Sequence, residues 1–483
     1  MVVPHKSVVI IGGGMSGVKT AIDLYNGGIK DTLILEATSR LGGRILTMKS
    51  LEKQGTVYDL GASWFHDSLK NPLFDKAIAL GDVEYYFDDG KSIFFNETEP
   101  NIETWKFDTV VSEFFTYSAL QYTDDPLKKD MSIMEMCFEY CEAFRNRLSS
   151  HQLKYCPSVI RMWAELWLGE SWDKLSAKYS LQENFDNHLG RNVLVKSGYE
   201  KVLINEIKEL PRVYRDSSIK LNAQVWKIDY TSSNKIYLHL TDERRYSCDY
   251  LVITIPQSIL KIDNPRDPSY IQWVPKVPQC IGSALEDINF GSLGKVVLEF
   301  KECFWPRDVD RFYALTSNVP SDNVKPWDFP ALIINYQSIC EVASLVILTQ
   351  NPISQYIEDL CKKSNQDKVW SLFKPLIAQI SDNMVGKIPN PTNLYCTPWN
   401  NHIFSRGSYG VSLVGTKDPS KVIRNFVERD YGNEERIRFA GAETVDGSAN
   451  GCVHGAWLSG EREASAILKM IQMTPGSSYK SNL

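Results

Sequence analysis

The chain has 483 residues, of which 43% are hydrophobic and 23% charged, which excludes a low-complexity polymer and a disulfide-stapled miniprotein. Its 53 Lys plus Arg against 59 Asp plus Glu leave a net charge of −6, without the basic footprint that neutralises nucleic-acid phosphates. No apolar run approaches the roughly 18 residues that span a bilayer, so neither nucleic acid nor membrane is an expected partner.

The ten cysteines are scattered, and Cys137 and Cys141, four apart, have no His or Cys cluster beside them, so no metal site is expected. The N-terminal segment enters an apolar strand without a secretory h-region, which suggests a cytoplasmic protein with reduced thiols. The final Ser481-Asn482-Leu483 resembles a peroxisomal address that lacks its basic middle residue.

In chain order, Val8–Ile11 reads as a short buried strand, the glycines of 12–17 as a turn, and Val18–Tyr25 as a helix. Thr32–Glu36 follows as a second strand. Residues 72–195 read as mainly helical, with Ser132–Leu148 and Val159–Trp167 as long segments. The period then shortens, and Val225–Tyr230 and Lys235–Leu240 flank a Thr-Ser-Ser-Asn turn as a β-meander. Tyr250–Ile255 is a further strand ended by Pro256, and Ile437–Phe439 is a short one beside Gly441. The tail after Met473 is polar and reads as disordered.

Gly12-Gly13-Gly14-Met15-Ser16-Gly17 fits GxGxxG between a strand and a helix. The first glycine permits the turn, the second lets backbone approach a pyrophosphate, and the third lets helix and strand pack. Glu36 lies nineteen residues beyond Gly17, where a carboxylate can accept ribose hydroxyls, which disfavours a 2′-phosphate. Arg40-Leu41-Gly42-Gly43-Arg44 comes next; alone it reads as a solvated basic turn, but here it suits a loop near a second phosphate and a flavin.

With these residues the chain resembles the flavin-containing amine oxidase family, which includes monoamine oxidases, polyamine oxidases and histone demethylases. The resemblance continues through Asp59–His66, Gly291–Lys295, Trp399, Ser405–Tyr409, Arg438–Gly441 and Gly455–Gly460, in the same order along nearly the whole chain. Details such as Gly61-Ala62-Ser63-Trp64 with His66-Asp67 are similar to fungal polyamine oxidases of the spermine-oxidising type, and to a steroid-binding flavoprotein of the same branch.

The resemblance implies FAD contacts from Gly12, Gly14, Ser16 and Gly17 at the pyrophosphate, Glu36 at the ribose, and Arg44 near the phosphate and ribityl chain. It places Gly61 and Ala62 against the isoalloxazine, the backbone of Val225 at the adenine, and Trp399, Gly441, Glu443, Cys452 and Val453 around the flavin. Polyamine oxidases read Phe-Ala-Gly-Glu where this chain has Phe439-Ala440-Gly441-Ala442-Glu443, so the role of Glu443 is open. Monoamine oxidases attach flavin to a cysteine where this chain has Ser408, so the FAD is expected to be non-covalent.

For catalysis the resemblance implies Lys295 beside the flavin and His66 lining the amine site. For substrate it implies Asn192, an aromatic wall of Trp64 and Tyr409, and Asp89, with Asp88, holding a distal ammonium at the entrance. The expected fold is α/β (mixed α+β), with a Rossmann-like FAD-binding domain from 1–85, 198–290 and 430–472. An inserted α+β substrate domain would take 86–197 and 291–429, leaving 473–483 as the tail. The expected function is an FAD-dependent polyamine oxidase taking spermine or an N-acetylated polyamine and O2, as a monomer or homodimer. The alternative is a flavoprotein that holds a steroid-like ligand with little or no amine oxidation. Histone demethylation is less favoured, because the chain lacks a long inserted helical arm and a basic chromatin-binding region.

Overall fold

The computed structural model describes residues 3–180, 189–320, 323–381, 388–428 and 435–473. The expected tail and Ser481-Asn482-Leu483 therefore lie outside the described residues, apart from Met473. No described helix is long and apolar enough to cross a membrane.

The first large sheet has eight strands centred on His5–Ile11, which pairs in parallel with Thr32–Leu35 on one side and Arg245–Ile253 on the other. Val8, Val9 and Ile10 are fully buried because helices or strands cover both faces, as parallel strands require. Ile219–Lys220 extends one edge, and the meander Val225–Asp229, Ile236–Leu240 leads to Gln272–Val274 at the other. Ile437–Phe439 returns from the far end of the chain to pair in parallel with Arg245–Ile253. The helices Met15–Asn26 and Val453–Met473 pack against each other, so first and last segments share one core.

The second large sheet runs Asn393–Cys396, Gly294–Glu299, Ser344–Thr349, Ala331–Asn335, Arg311–Ala314, Ser92–Phe95. Side chains alternate between its faces. Val297 and Val346 join a core with the helices Phe107–Asp124, Ile133–Ala143 and Ser150–Leu168. Val296 and Leu298 join another with Ile353–Lys362 and Gln366–Gln379. Every residue of Gly294–Glu299 is buried, Lys295 included.

The α/β architecture is as expected, with local corrections. The stretch 72–195 also holds the strands Tyr85–Phe87, Ser92–Phe95 and Val193–Val195. Three or four residues are too few to display a period, and their strand state comes from partners far away in sequence. Ser132–Leu148 is a helix only over Ile133–Ala143, capped by a reciprocal Ser132–Glu135 box. The strand read as Tyr250–Ile255 is Arg245–Ile253, and Pro256 precedes a short helix, Gln257–Leu260.

Candidate functional site

The strand His5–Ile11 delivers Gly12 in a left-handed conformation, φ +109°, where a side chain would be strained. A Cβ on Gly17 would lie 2.1 Å from the Gly12 carbonyl oxygen, so only glycine lets helix and turn meet. Gly14 differs: a Cβ there would meet nothing nearer than the Gly42 oxygen at 4.0 Å. That space belongs to a cavity of about 280 Å³. Gly14 is also the N-cap of Met15–Asn26 and offers no side-chain acceptor. The positive end of this helix therefore opens on the cavity and suits a diphosphate.

Gly12, Gly14, Ser16, Glu36, Arg44, Gly61, Ala62, Val225, Trp399, Gly441, Cys452 and Val453 all line this cavity. The Glu36 carboxylate accepts from the Gly13 and Thr38 amides, each at 2.8 Å, and from Thr38 Oγ1 at 2.7 Å, which fixes it on the wall. Arg40 serves its own loop, donating to the carbonyls of Ile45 at 2.8 Å and Gly43 at 2.7 Å. Two cofactor candidates stand behind the wall: Gly17 packs on Gly12, and Glu443 binds the Arg44 guanidinium through both oxygens. Glu443 thus orients Arg44, which also donates to the Ser408 carbonyl at 2.6 Å.

The sequence reading missed His402 and Phe404 on the same wall. Burial lowers the His402 ring from its ordinary value, and the nearby Arg40 charge lowers it further, so its neutral form is favoured. Their position within the Trp399–Tyr409 stretch was the available signal.

Lys295 also lines the cavity, in the antiparallel register opposite Leu348. Its Nζ donates to the carbonyls of Gly61 at 2.6 Å and Asp59 at 2.8 Å, and to the Ser63 hydroxyl. Burial pulls the Lys295 ammonium down to about 8, against the opposing pull of the Asp59 charge. Burial likewise raises the Asp59 carboxyl to about 6, against hydrogen bonding from Thr47 and the charge of Lys295. The Asp59–Lys295 couple was not singled out from sequence, although Asp59 opens the Asp-Leu-Gly-Ala-Ser-Trp stretch.

The three-stranded sheet Trp64–Phe65, Val193–Val195, Tyr85–Phe87 gathers the substrate candidates. Trp64 and His66 face the cavity, and His66 Nδ1 lies 2.8 Å from Asn192 Oδ1. An amide oxygen only accepts, so Nδ1 carries the hydrogen and Nε2 is the basic nitrogen. Asn192 touches His66 and is not itself on the cavity wall. Tyr409 also lines the cavity, its hydroxyl donating to the Trp167 carbonyl at 2.7 Å.

The acidic pair separates. Asp89 is half exposed and pairs with Arg191 at 2.7 Å, away from the cavity wall. Asp88, partly buried with a side chain only 7% exposed, accepts from Trp64 Nε1 at 2.7 Å and pairs with Arg311. Just beyond the strand end, the two acids take separate partners, Trp64 and Arg311 for Asp88 and Arg191 for Asp89, so they do not serve one site together.

A dinucleotide fits this donor set: a glycine cradle open at Gly14, a bare helix N-terminus, a fixed carboxylate at Glu36 and an arginine at Arg44. A flavin held there would supply the acceptor for a hydride from carbon. Lys295, His66, Trp64 and Tyr409 line the same cavity.

The chain is similar to several known proteins. The family profile described as flavin containing amine oxidoreductase matches residues 15–468. The chain is 34% identical to the corticosteroid-binding protein of Candida albicans, over 96% of both chains. It is 27% identical to polyamine oxidase 4 of Oryza sativa subsp. japonica, over 97% of this chain and 90% of that one. It is 25% identical to lysine-specific histone demethylase 1 homolog 1 of Arabidopsis thaliana, over 99% of this chain but 54% of that one.

Proposed function

We propose, from the premise that this chain belongs to the flavin-containing amine oxidoreductase family, that it is an oxidase of polyamines holding FAD non-covalently. The substrate is spermine or an N-acetylated relative, oxidised at a secondary amine. Overall, the amine, O2 and water give spermidine or putrescine, an aminoaldehyde and hydrogen peroxide. The observation that carries this reading is that Lys295, His66, Trp64 and Tyr409 line the same cavity as the glycine turn, with the Lys295 ammonium 5.3 Å from the centre of the Trp64 ring.

Each residue has a role that follows from its setting. Trp64 and Tyr409 flank the substrate chain and offer faces to its ammonium groups. His66, held by Asn192, presents Nε2 to accept the proton that a substrate ammonium must lose before its lone pair can assist hydride departure. Lys295, lowered to about 8, can hold or release a proton beside the Gly61 carbonyl at the pH where an oxidase works. Ser408, whose hydroxyl donates to the Leu293 carbonyl at 3.2 Å, offers no thiol for covalent attachment and supports a dissociable cofactor.

The visible spectrum of purified protein, followed by anaerobic spermine, tests the reading. Flavin absorbance that bleaches supports oxidation; flavin that stays oxidised with spermine, N1-acetylspermine and simple monoamines overturns it. The second reading, a steroid-like ligand in the same apolar space, is favoured by the similarity to a corticosteroid-binding protein across 96% of the chain. Competition between a steroid and spermine for one site separates binding alone from turnover.

A further inference from the structure

Cys361 and Cys396 come from separate elements, the last turn of helix Ile353–Lys362 and the end of strand Asn393–Cys396, 35 residues apart in the chain. Their sulfurs are 2.7 Å apart. That is well inside the ~3.5–4 Å at which non-bonded heavy atoms rest. Both thiols pack on the core around Val296, Leu298 and Leu360, yet both keep part of their surface open.

The thiols of Cys137 and Cys141 also interact, but their backbone setting differs. Cys137, Cys156 and Cys248 are buried. Cys137 and Cys141 lie four apart on the helix Ile133–Ala143, where neighbouring Cβ atoms are held about 5–6 Å apart. That exceeds the roughly 3.5–4.5 Å that a disulfide needs. The Cys361–Cys396 pair also adjoins the candidate lysine. Cys396 is the register partner of Val296, and Thr397 Oγ1 accepts from the Lys295 amide at 3.0 Å.

We propose that Cys361 and Cys396 form a reversible disulfide, a modification site whose oxidant is a hydroperoxide such as hydrogen peroxide. The Cys396 thiol lowers Cys361 from the ordinary thiol value, which makes Cys361 the attacking sulfur. Its thiolate attacks one peroxide oxygen; the S–O bond forms, the O–O bond breaks, and the leaving hydroxide takes a proton to become water. Cys396 sulfur then attacks Cys361 sulfur; the S–S bond forms, the S–O bond breaks, and a second water leaves with the Cys396 proton. Two thiols lose two electrons and one peroxide gains them. The bond joins the helix to the edge strand beside Lys295. It does not depend on which substrate the flavin site takes.

The test uses the full-length, flavin-loaded protein, treated with a small molar excess of hydrogen peroxide and quenched with catalase. Remaining thiols are then alkylated under denaturing conditions. The expected result is that two of the ten thiols escape alkylation, and that before alkylation the protein has lost two hydrogens, about 2 Da. Proteolysis then yields a Cys361–Cys396 linked peptide pair that dithiothreitol separates. Full alkylation of both cysteines after peroxide overturns the proposal, as does a bridge between other cysteines, or oxygen uptake at these two without linkage. The wild-type peptide map decides this without a variant. Cys361→Ser and, independently, Cys396→Ser are expected to abolish the linked pair; a surviving bridge to the remaining partner counts against it.

Discussion

The ammonium of Lys295 stands 2.6 Å from the carbonyl oxygen of Gly61, across 234 residues of chain. One residue belongs to an inner strand of the six-stranded sheet and the other to the cavity wall after Val57–Asp59. Together with the Asp59 carbonyl and the Ser63 hydroxyl, the loop surrounds the buried cation with oxygen atoms. Those oxygens partly replace the water that burial removed.

This arrangement makes stability depend on pH. Lys295 titrates near 8 when folded and at its ordinary 10.5 when unfolded, so between these values the unfolded chain binds more protons. Stability of the flavin-free protein therefore rises with pH across that window, and the full cost of burying the ammonium is present below it. Asp59 works the opposite way: raised to about 6 from 3.8, it makes stability fall as the pH climbs between those values. Lys295→Met is expected to lose the upper window. Thermal unfolding from pH 8 to 10 should show wild type gaining on the variant by about 2 kcal/mol, and parallel curves would contradict the assignment.

Activity should separate from cofactor binding at the same position. Lys295→Met is expected to keep FAD and to slow anaerobic bleaching by spermine by roughly 100-fold, the scale of a proton-handling side chain. Stopped-flow absorbance measures it. A variant as fast as wild type would remove Lys295 from the chemistry.

The glycines of the first turn should fail in different ways. Gly17→Ala puts a Cβ against the Gly12 carbonyl and should cost on the order of 1–3 kcal/mol of stability, as overpacking does. Gly14→Ala meets open space and should leave the melting temperature of the flavin-free protein unchanged while reducing flavin content severely. Thermal unfolding and flavin absorbance per chain distinguish them; equal effects in both assays would refute the division.

Behind His66, Asp67 is buried with φ +54° and accepts from Ser448 Oγ at 2.6 Å and the Leu189 amide at 2.9 Å. It also lies 3.1 Å from His454 Nε2. Asparagine tolerates the left-handed conformation better than alanine, by about 1 kcal/mol. Asp67→Asn should therefore melt above Asp67→Ala, with both below wild type. Differential scanning calorimetry gives the order, and identical values for the two variants would show that the backbone conformation carries no cost.

The glycine turn and the carboxylate that line the cavity were legible in the residues themselves. A run of aliphatic residues buried on both faces, glycines where a chain must turn or approach, and a carboxylate at the next strand end are short-range requirements. Each is visible within the first forty residues, and the motifs along the rest of the chain carried the resemblance. The end of Ile437–Phe439 was equally readable, because an apolar triplet before Gly441 leaves few alternatives.

Other features were decided only by the tertiary structure. The strands Tyr85–Phe87 and Val193–Val195 exist because they pair with each other across more than a hundred residues. That pairing places Asn192 on His66 and sends Asp88 inward and Asp89 outward, a choice the dipeptide alone cannot make. Glu443, ambiguous in sequence, is assigned to Arg44 by contact. Lys295 acquires its lowered titration from a sheet with both faces covered and a loop that arrives from the opposite end of the chain. Local backbone sterics act between neighbours and can be read from them; ion pairing and desolvation depend on which distant segments the packed sheets bring together.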